Sequence, residues 1–344
     1  MSNRWRRRSA RYKRGPDHWL IRLPLPAPRR FPPDTRAPAP LTLASPRVLI
    51  PFVIISLIWG STWIVIRDQL SVVPASWSVT YRFLIAGSAM FALAAWQARR
   101  SGEGVLLDWR ALVFTIALGL MQFCLNFNFV YQSEHYITSG IVAVIFALLI
   151  VPNTMLSRAF LGTVITRRFL AGASIAVVGI GLLLAHEARA ISGDASAVTT
   201  GVTLTLIAVL CASIANVMMA SQIARAQPLF ALLAWSMLWG TIFNAAFAFA
   251  TVGPPVVDWR AGYLGGVAYL GIMGSVVCFP LYLSIIRNVG AGPAAWSGVV
   301  VPMVAMALST LLEGYDWSGL AIAGTVLALA GLIVALRPAG QASD

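Results

Sequence analysis

Residues 138–157 read TSGIVAVIFALLIVPNTMLS, twenty positions without a charged side chain or a histidine. As a helix, about twenty apolar residues cross the ~30 Å hydrocarbon core of a bilayer. Runs of this kind recur at roughly 48–66, 77–97, 111–130, 138–157, 169–186, 199–220, 229–251, 262–284, 291–312 and 318–336. A membrane β-barrel is excluded, because its strands alternate apolar and polar positions over about ten residues. The expected fold is an all-α integral membrane protein with ten transmembrane helices. The longest connection, near 187–198, is about a dozen residues. No room is left for a soluble catalytic or nucleotide-binding domain.

Composition agrees. Hydrophobic residues make up 58% of the 344 and charged residues 11%, with a mean hydropathy of +0.79. Soluble chains carry about 25% charged residues. Disorder, disulfide scaffolds and nearly all soluble enzymes are excluded. The net charge of +13 suggests nucleic acid until it is located. Residues 1–47 hold 12 of the 25 Lys and Arg, against only Asp17 and Asp34. The remainder holds 13 basic and 10 acidic groups, so no nucleic-acid partner is expected. The Arg/Pro-rich tail, 1–47, has two readings. It is a disordered arm touching anionic lipid, or text from a misassigned translation start.

Orientation follows from the arginines, which favour cytoplasmic loops. With the N-terminus inside, nine fall inside: Arg99, Arg100, Arg110, Arg158, Arg167, Arg168, Arg225, Arg287 and Arg337. Three fall outside: Arg67, Arg189 and Arg260. Both termini are therefore expected in the cytoplasm. Lys13 is the sole lysine. A P-loop and Schiff-base chemistry both need a lysine elsewhere. Cys124, Cys211 and Cys278 lie in apolar runs and read as small buried residues. His18, His135 and His186 have no ligand neighbours at metal-binding spacing. No metal, cofactor or catalytic residue is expected.

The chain also repeats itself. At an offset of 150 residues, Trp109-Arg110-Ala111 matches Trp259-Arg260-Ala261. Leu120, Phe129, Gly140, Val151-Pro152 and Leu161 match Leu270, Phe279, Gly290, Val301-Pro302 and Leu311. Two repeats are expected, 48–186 and 199–336, followed by a short tail, 337–344. Five helices per repeat is an odd number, so the second repeat enters the membrane from the opposite side. Inverted repeats place the substrate site at their interface near the midplane.

Trp59-Gly60-Ser61-Thr62-Trp63 and Tyr81-Arg82-Phe83-Leu84 resemble motifs of EamA-type transporters of the drug/metabolite transporter superfamily. Pro302, Glu313 and Gly324 resemble the P…E…G signature closing a repeat of that family. The resemblance covers about 50–336. The first repeat departs from it, with Thr163 where the glutamate is expected. Parity and repeat together argue for alternating access, and the resemblance, since bacterial members are mostly exporters, implies outward transport.

Arg82 is the one charge deep in a predicted span. Such a group faces a cavity or a partner, so it contacts substrate or gates the path, or it holds structure near the surface. Gln122 and Asn126 are i,i+4 neighbours, as are Asn128 and Gln132, with Tyr131 beside them. Their amides need partners in lipid and either line a wet pathway or tie helices together. Asn216 and Asn244 carry the same ambiguity. Trp59, Ser61, Trp63, Tyr81, Tyr269 and Tyr282 complete the candidate pathway, with helices 1, 2, 3, 6 and 8 around it. Pro152 and Pro302 each remove a helical hydrogen bond and read as kinks. Gly172, Ala176, Gly324 and Ala328 read as close-packing surfaces. No carboxylate sits mid-span. Glu134 and His135, at a helix edge, are candidates for proton coupling, and Glu313 reads as a loop or cap contact.

The function expected is an inner-membrane exporter of small organic metabolites such as amino acids, related compounds or drugs. Its partners are that small molecule and membrane lipid, and the sequence leaves the oligomeric state open, with a monomer as one option. The alternative is an importer or exchanger of sugars or nucleotide sugars. An integral-membrane transferase stands further off, because no clustered His/Asp/Glu motif occurs.

Overall fold

A computed structural model describes residues 45–102, 104–190, 195–289 and 296–336. Both predicted tails lie wholly or mainly outside these residues. The described residues form helices and no strands. We number the long helices α1 (Pro46–Gln69), α2 (Ala75–Ser101), α3 (Trp109–Ser133), α4 (Ser139–Leu161) and α5 (Arg167–Ala190). The second set is α6 (Ala195–Ala220), α7 (Leu229–Thr251), α8 (Ala261–Tyr282), α9 (Ser297–Leu312) and α10 (Gly319–Leu336). Among the described residues, nine of these are long and apolar enough to cross a membrane. The exception is α9, whose 16 described residues occupy the predicted span 291–312. The predicted 187–198 loop is shortened from both sides, because α5 runs to Ala190 and α6 starts at Ala195. Alanine, the strongest helix former, dominates both ends.

Helices dominate because lipid offers no partner for backbone N–H and C=O groups. The ends carry local signals. Pro46 opens α1, where a missing N–H costs nothing. The Asp108 carboxylate accepts the Ala111 N–H at 2.7 Å and caps α3. The matching Asp258, just before α8, accepts the Arg260 N–H at 2.9 Å. The repeated Trp-Arg-Ala thus begins one residue earlier, at an aspartate that caps the helix in the first half and bonds the N-cap residue, Arg260, in the second. Gly162 and Gly314, with φ of 72° and 67°, follow α4 and α9 in the left-handed region that ends a helix.

The two repeats exchange helices. Helix α1 packs against α8 and α9 of the other repeat, and its counterpart α6 packs against α3 and α4. The paired helices α2 and α7 lie together, as do α5 and α10. The last pair meets backbone to backbone. A Cβ on Gly172 would stand 2.6 Å from the Gly331 carbonyl oxygen, and one on Gly331 would stand 2.6 Å from that of Gly172. Gly179 and Gly324 repeat the arrangement at 2.6 and 2.7 Å. Ala176 and Ala328 are buried in the same seam. Small residues let membrane helices approach this closely, and dispersion contacts then hold them.

Two helices depart from regular α geometry at corresponding places. Helix α3 contains a π-helical stretch, Gly119–Leu125, and α8 contains another, Ile272–Val277. Such wide turns are uncommon and concentrate at functional sites. The prolines behave differently from each other. Helix α4 tightens into a 3₁₀ turn at Ala147–Leu149, just before Pro152, where the Leu148 carbonyl has lost its donor. Helix α9 stays α-helical through the buried Pro302. The three cysteines are buried and unpaired.

Candidate functional site

Arg82 sits where α1, α2, α3 and α8 meet. It is seven residues into α2, about 10 Å along the helix axis from its start. The residue is 2% exposed. Its guanidinium lies 4.3 Å from the Phe127 ring centroid and 5.4 Å from that of Phe83. The Tyr131 hydroxyl is a further neighbour and donates to Gln69 Oε1 at 3.2 Å. Nε and Nη1 of Arg82 are buried without a hydrogen-bond partner. The ion pairs among the described residues are Arg67–Glu313 and Arg260–Asp258, so no described carboxylate lies within 4 Å of Arg82. Cation–π contacts contribute about 0.5–2 kcal/mol. A central arginine costs roughly 2.5–3.5 kcal/mol on insertion scales. The rings alone do not offset the charge.

The π-helical stretch of α8 lies against this group, and that of α3 reaches it through the Phe123–Phe83 ring contact. In α8, a Cβ on Gly274 would lie 3.5 Å from Arg82 Nη2 and 3.1 Å from Thr62 Cγ2. The Gly274 carbonyl accepts the Trp59 indole N–H at 3.1 Å. Ser275 Oγ donates to the Leu270 carbonyl, five residues back. In α3, the Phe123 carbonyl accepts from Asn244 Nδ2 at 2.8 Å. Asn244 Oδ1 in turn accepts from Asn128 Nδ2 at 2.5 Å. Asn244 therefore ties α7 to the wide turn of α3. Asn128 Nδ2 also reaches the Cys124 carbonyl at 2.9 Å, and Asn126 Nδ2 reaches the Gln122 carbonyl at 3.4 Å. One acceptor oxygen of each of Gln122, Asn126 and Asn128 remains buried and unpartnered.

Several other candidates gather near this centre. Trp59 packs on Phe279 and Tyr282, with centroids at 6.0 and 5.3 Å. Ser61 and Tyr269 share a hydrogen bond of 2.7 Å between α1 and α8. Trp63 packs on Phe146 of α4 at 5.4 Å. Two candidates lie elsewhere. Tyr81 stacks on Trp77 and donates to the Val256 carbonyl in the α7–α8 connection. Its neighbour Arg82 faces the centre, and consecutive helix positions point about 100° apart. Asn216 is exposed and makes a long 3.5 Å contact with Asn153 of α4. Phe127, Gly274 and Thr62 were not among the sequence candidates, since single apolar or small residues in an apolar run carry no distinguishing signal.

A second cluster lies at the end of the bundle where α1 and α9 finish and α4 begins. Glu313 Oε2 accepts from Ser139 Oγ at 2.6 Å and Ser309 Oγ at 2.5 Å. Glu313 Oε1 accepts the Ser139 N–H at 3.4 Å and faces Arg67 Nε at 3.8 Å. A carboxylate at a helix N-terminus is favoured by the helix dipole, so Glu313 is the cap contact its position suggested. Gly140, beside it, leaves room for Met306 and Ser309. Glu134 is completely buried, and neither carboxyl oxygen has a partner. Burial, and then the nearby Glu313, push its carboxyl well above the usual range, against the opposing pull of Arg67. His135 is exposed, and partial desolvation with Arg67 lowers its pKa. This end of α4, Ser139–Ile145, is entirely buried, whereas its far half, Ile150–Leu161, has no buried residue. Thr163 follows that far half in place of a second glutamate.

Known proteins share this organisation. The sequence profile of the EamA-like transporter family matches residues 47–185 and again 199–337. An inner membrane transporter of Escherichia coli strain K12, YedA, is 27% identical over 82% of this chain and 90% of its own. Protein PagO of Salmonella typhimurium is 24% identical over 78% of this chain and 86% of its own. A transporter of Archaeoglobus fulgidus is 22% identical over 81% and 95%. One crystal structure superposes with a TM-score of 0.61 at 19% identity, covering 83% of this chain and 95% of that one, which bears on fold alone. With two consecutive matches spanning most of its length, the chain belongs to the EamA-like transporter family and is a membrane transporter of the drug/metabolite transporter superfamily.

Proposed function

We propose that this protein exports small organic metabolites across a bacterial inner membrane by alternating access, with both termini in the cytoplasm. The observation that carries this reading is the exchange of helices between repeats. Each repeat inserts its first helix among the third and fourth helices of the other. Arg82, Trp59 and the two π-helical stretches lie at that crossing. Rocking one repeat against the other then opens the site to one side at a time, as inverted repeats do. The arginine bias supports the orientation, which places the Glu313 cluster on the periplasmic side. The YedA name supports an inner-membrane location for that relative, and family resemblance supports outward transport.

The periplasmic end is latched by Glu313 across α9 and α4, while Thr163 leaves no equivalent carboxylate at the other end of α4. This asymmetry favours a resting state closed to the periplasm. Of the two proton-coupling candidates, Glu134 supports the role better. It is buried and within electrostatic reach of Arg67, Glu313 and Tyr131, whereas His135 is exposed. Loss of its proton beside Glu313 would set two like charges together and weaken the latch.

The test is an untargeted comparison of medium and cell metabolites from overexpressing and deletion strains, repeated with Arg82→Gln and Asn126→Ala. The reading expects at least one metabolite to move from cell to medium with expression, and the variants to reduce that flux. Unchanged pools, or accumulation inside the cell on expression, would overturn it.

A further inference from the structure

Arg82 presents a demand that the described residues meet only in part. A guanidinium carries five N–H donors in a fixed fork. Its two-nitrogen edges are Nε with Nη2, and Nη1 with Nη2. Nε and Nη1 are both buried without a partner, so each edge keeps an unpaired donor in a residue that is 2% exposed. Phenyl rings face the cation and supply no lone pair; the Tyr131 hydroxyl oxygen lies within hydrogen-bonding reach of the guanidinium, which still leaves Nε and Nη1 without a partner. A buried charge of this kind is stable when an opposite charge completes it. A carboxylate matches the fork with two parallel hydrogen bonds.

The surroundings specify what that carboxylate is attached to. From the guanidinium, a ladder of rings leads through the protein. Phe127 meets Phe83 at 4.8 Å, Phe83 meets Phe123 at 5.1 Å, and Phe123 meets Phe279 at 5.9 Å. Phe279 meets Trp59 at 6.0 Å, and Trp59 meets Tyr282 at 5.3 Å. These rings come from α1, α2, α3 and α8, hence from both repeats. They offer apolar and edge-to-face contacts and no second cation. The Gly274 face leaves the space beside Nη2 free of any side chain of its own.

We propose that Arg82 is the carboxylate-binding group of the translocation site, and that the cargo is an organic monoanion with an aromatic or apolar body. This rests on the transport reading above and narrows it to a substrate class. The acid enters with its carboxylate paired to Arg82 and its body against the Phe127–Phe83 rings. Release follows when rocking separates α2 from α8.

The probe is 3-phenylpropanoate, compared with its neutral isostere 3-phenylpropanamide. Both are titrated against the purified full-length protein, with thermal stabilisation as the readout of binding. Charge-assisted hydrogen bonds predict at least a ~10-fold preference for the acid. Arg82→Gln is expected to weaken acid binding by ~10-fold to ~100-fold and leave the amide unchanged. Arg82→Lys keeps the charge without the fork and is expected to fall between. Gly274→Ala, which keeps Arg82 and adds a methyl beside Nη2, is expected to weaken the acid selectively. If Arg82→Gln does not fold, the lysine and Gly274 variants, with the wild-type acid–amide comparison, decide the matter. Absence of saturable acid binding, equal binding of acid and amide, or undiminished acid binding in the variants overturns the proposal. Acid binding without flux of any metabolite would instead refute the transport reading. Flux of neutral cargo without acid binding would refute only the substrate class.

Discussion

Replacing Asn244 by alanine removes two hydrogen bonds at once. The Phe123 carbonyl, inside the wide turn of α3, loses the Nδ2 donor at 2.8 Å. Asn128 loses the Oδ1 acceptor at 2.5 Å but keeps its bond to the Cys124 carbonyl. Interhelical hydrogen bonds in membrane proteins average ~0.6 kcal/mol and reach ~1.7. Two of them make the expected cost about 1–3 kcal/mol. Asn128→Ala removes one interhelical bond and is expected to cost about 0.6–1.7 kcal/mol. In the double variant the shared bond is counted once, so the effects fall short of additive by about the same amount. The assay is SDS-induced unfolding in bicelles for wild type, both single variants and the double. Asn216→Ala is the control, since an exposed contact of 3.5 Å is expected to be worth less than about 0.5 kcal/mol. Asn244→Ala within ~0.5 kcal/mol of wild type, or strictly additive variants, would refute the view that Asn244 ties the repeats together at the π-helical turn.

Other outcomes follow from the packing and the charged end. Gly179→Leu must part α5 from α10, because its Cβ would stand 2.6 Å from the Gly324 carbonyl oxygen. A loss of about 1–3 kcal/mol by the same unfolding assay is expected, whereas Gly181→Leu, with nothing within 4 Å of its Cβ, leaves stability unchanged. Glu313→Ala uncaps α4, for a loss of about 1 kcal/mol. Faster amide hydrogen exchange at Gly140–Val142 is the check, and unchanged exchange would count against the latch. For Glu134 the folded-state pKa lies above the unfolded one. Its contribution is present below the usual carboxylate range and is lost as pH rises through the raised value. Thermal stability should therefore fall with rising pH in that window for wild type and stay level in Glu134→Gln. Parallel profiles would remove Glu134 from the account.

The spans were legible because their length is dictated by the bilayer and their composition by lipid. The halves were legible because Trp-Arg-Ala and Val-Pro recur in step. The two π-helical stretches were not. Gly119 widens its turn where Ser236 and Trp239 of α7 press against it, a contact between residues far apart in sequence. Helical spacing marked Gln122, Asn126 and Asn128 as polar groups needing partners. It did not show that Asn126 and Asn128 return to carbonyls of their own helix. Arg82 was singled out by its charge within a predicted span and by its motif, yet its ring neighbours are ordinary apolar residues until the helices are assembled. Tyr81 was named as an aromatic residue able to stack on a ligand, but as the neighbour of Arg82 on a helix it lies on a different face. Glu313 meets Ser139 across 174 residues, so its role in holding α4 required the fold.

Alternating access itself is tested by measuring distances at both ends of the bundle in one protein. Spin labels at Tyr136 and Leu311 report the Glu313 end, and labels at Phe160 and Ile223 report the opposite end. All four positions are exposed, and each pair spans the two repeats. Double electron–electron resonance is recorded for each pair across a pH series in lipid nanodiscs. The account predicts two distances per pair, with populations moving in opposite senses. The Glu313 end should be closed at low pH and open increasingly as pH rises, while the other end closes. A single invariant distance at either end, or both ends opening together, would contradict it.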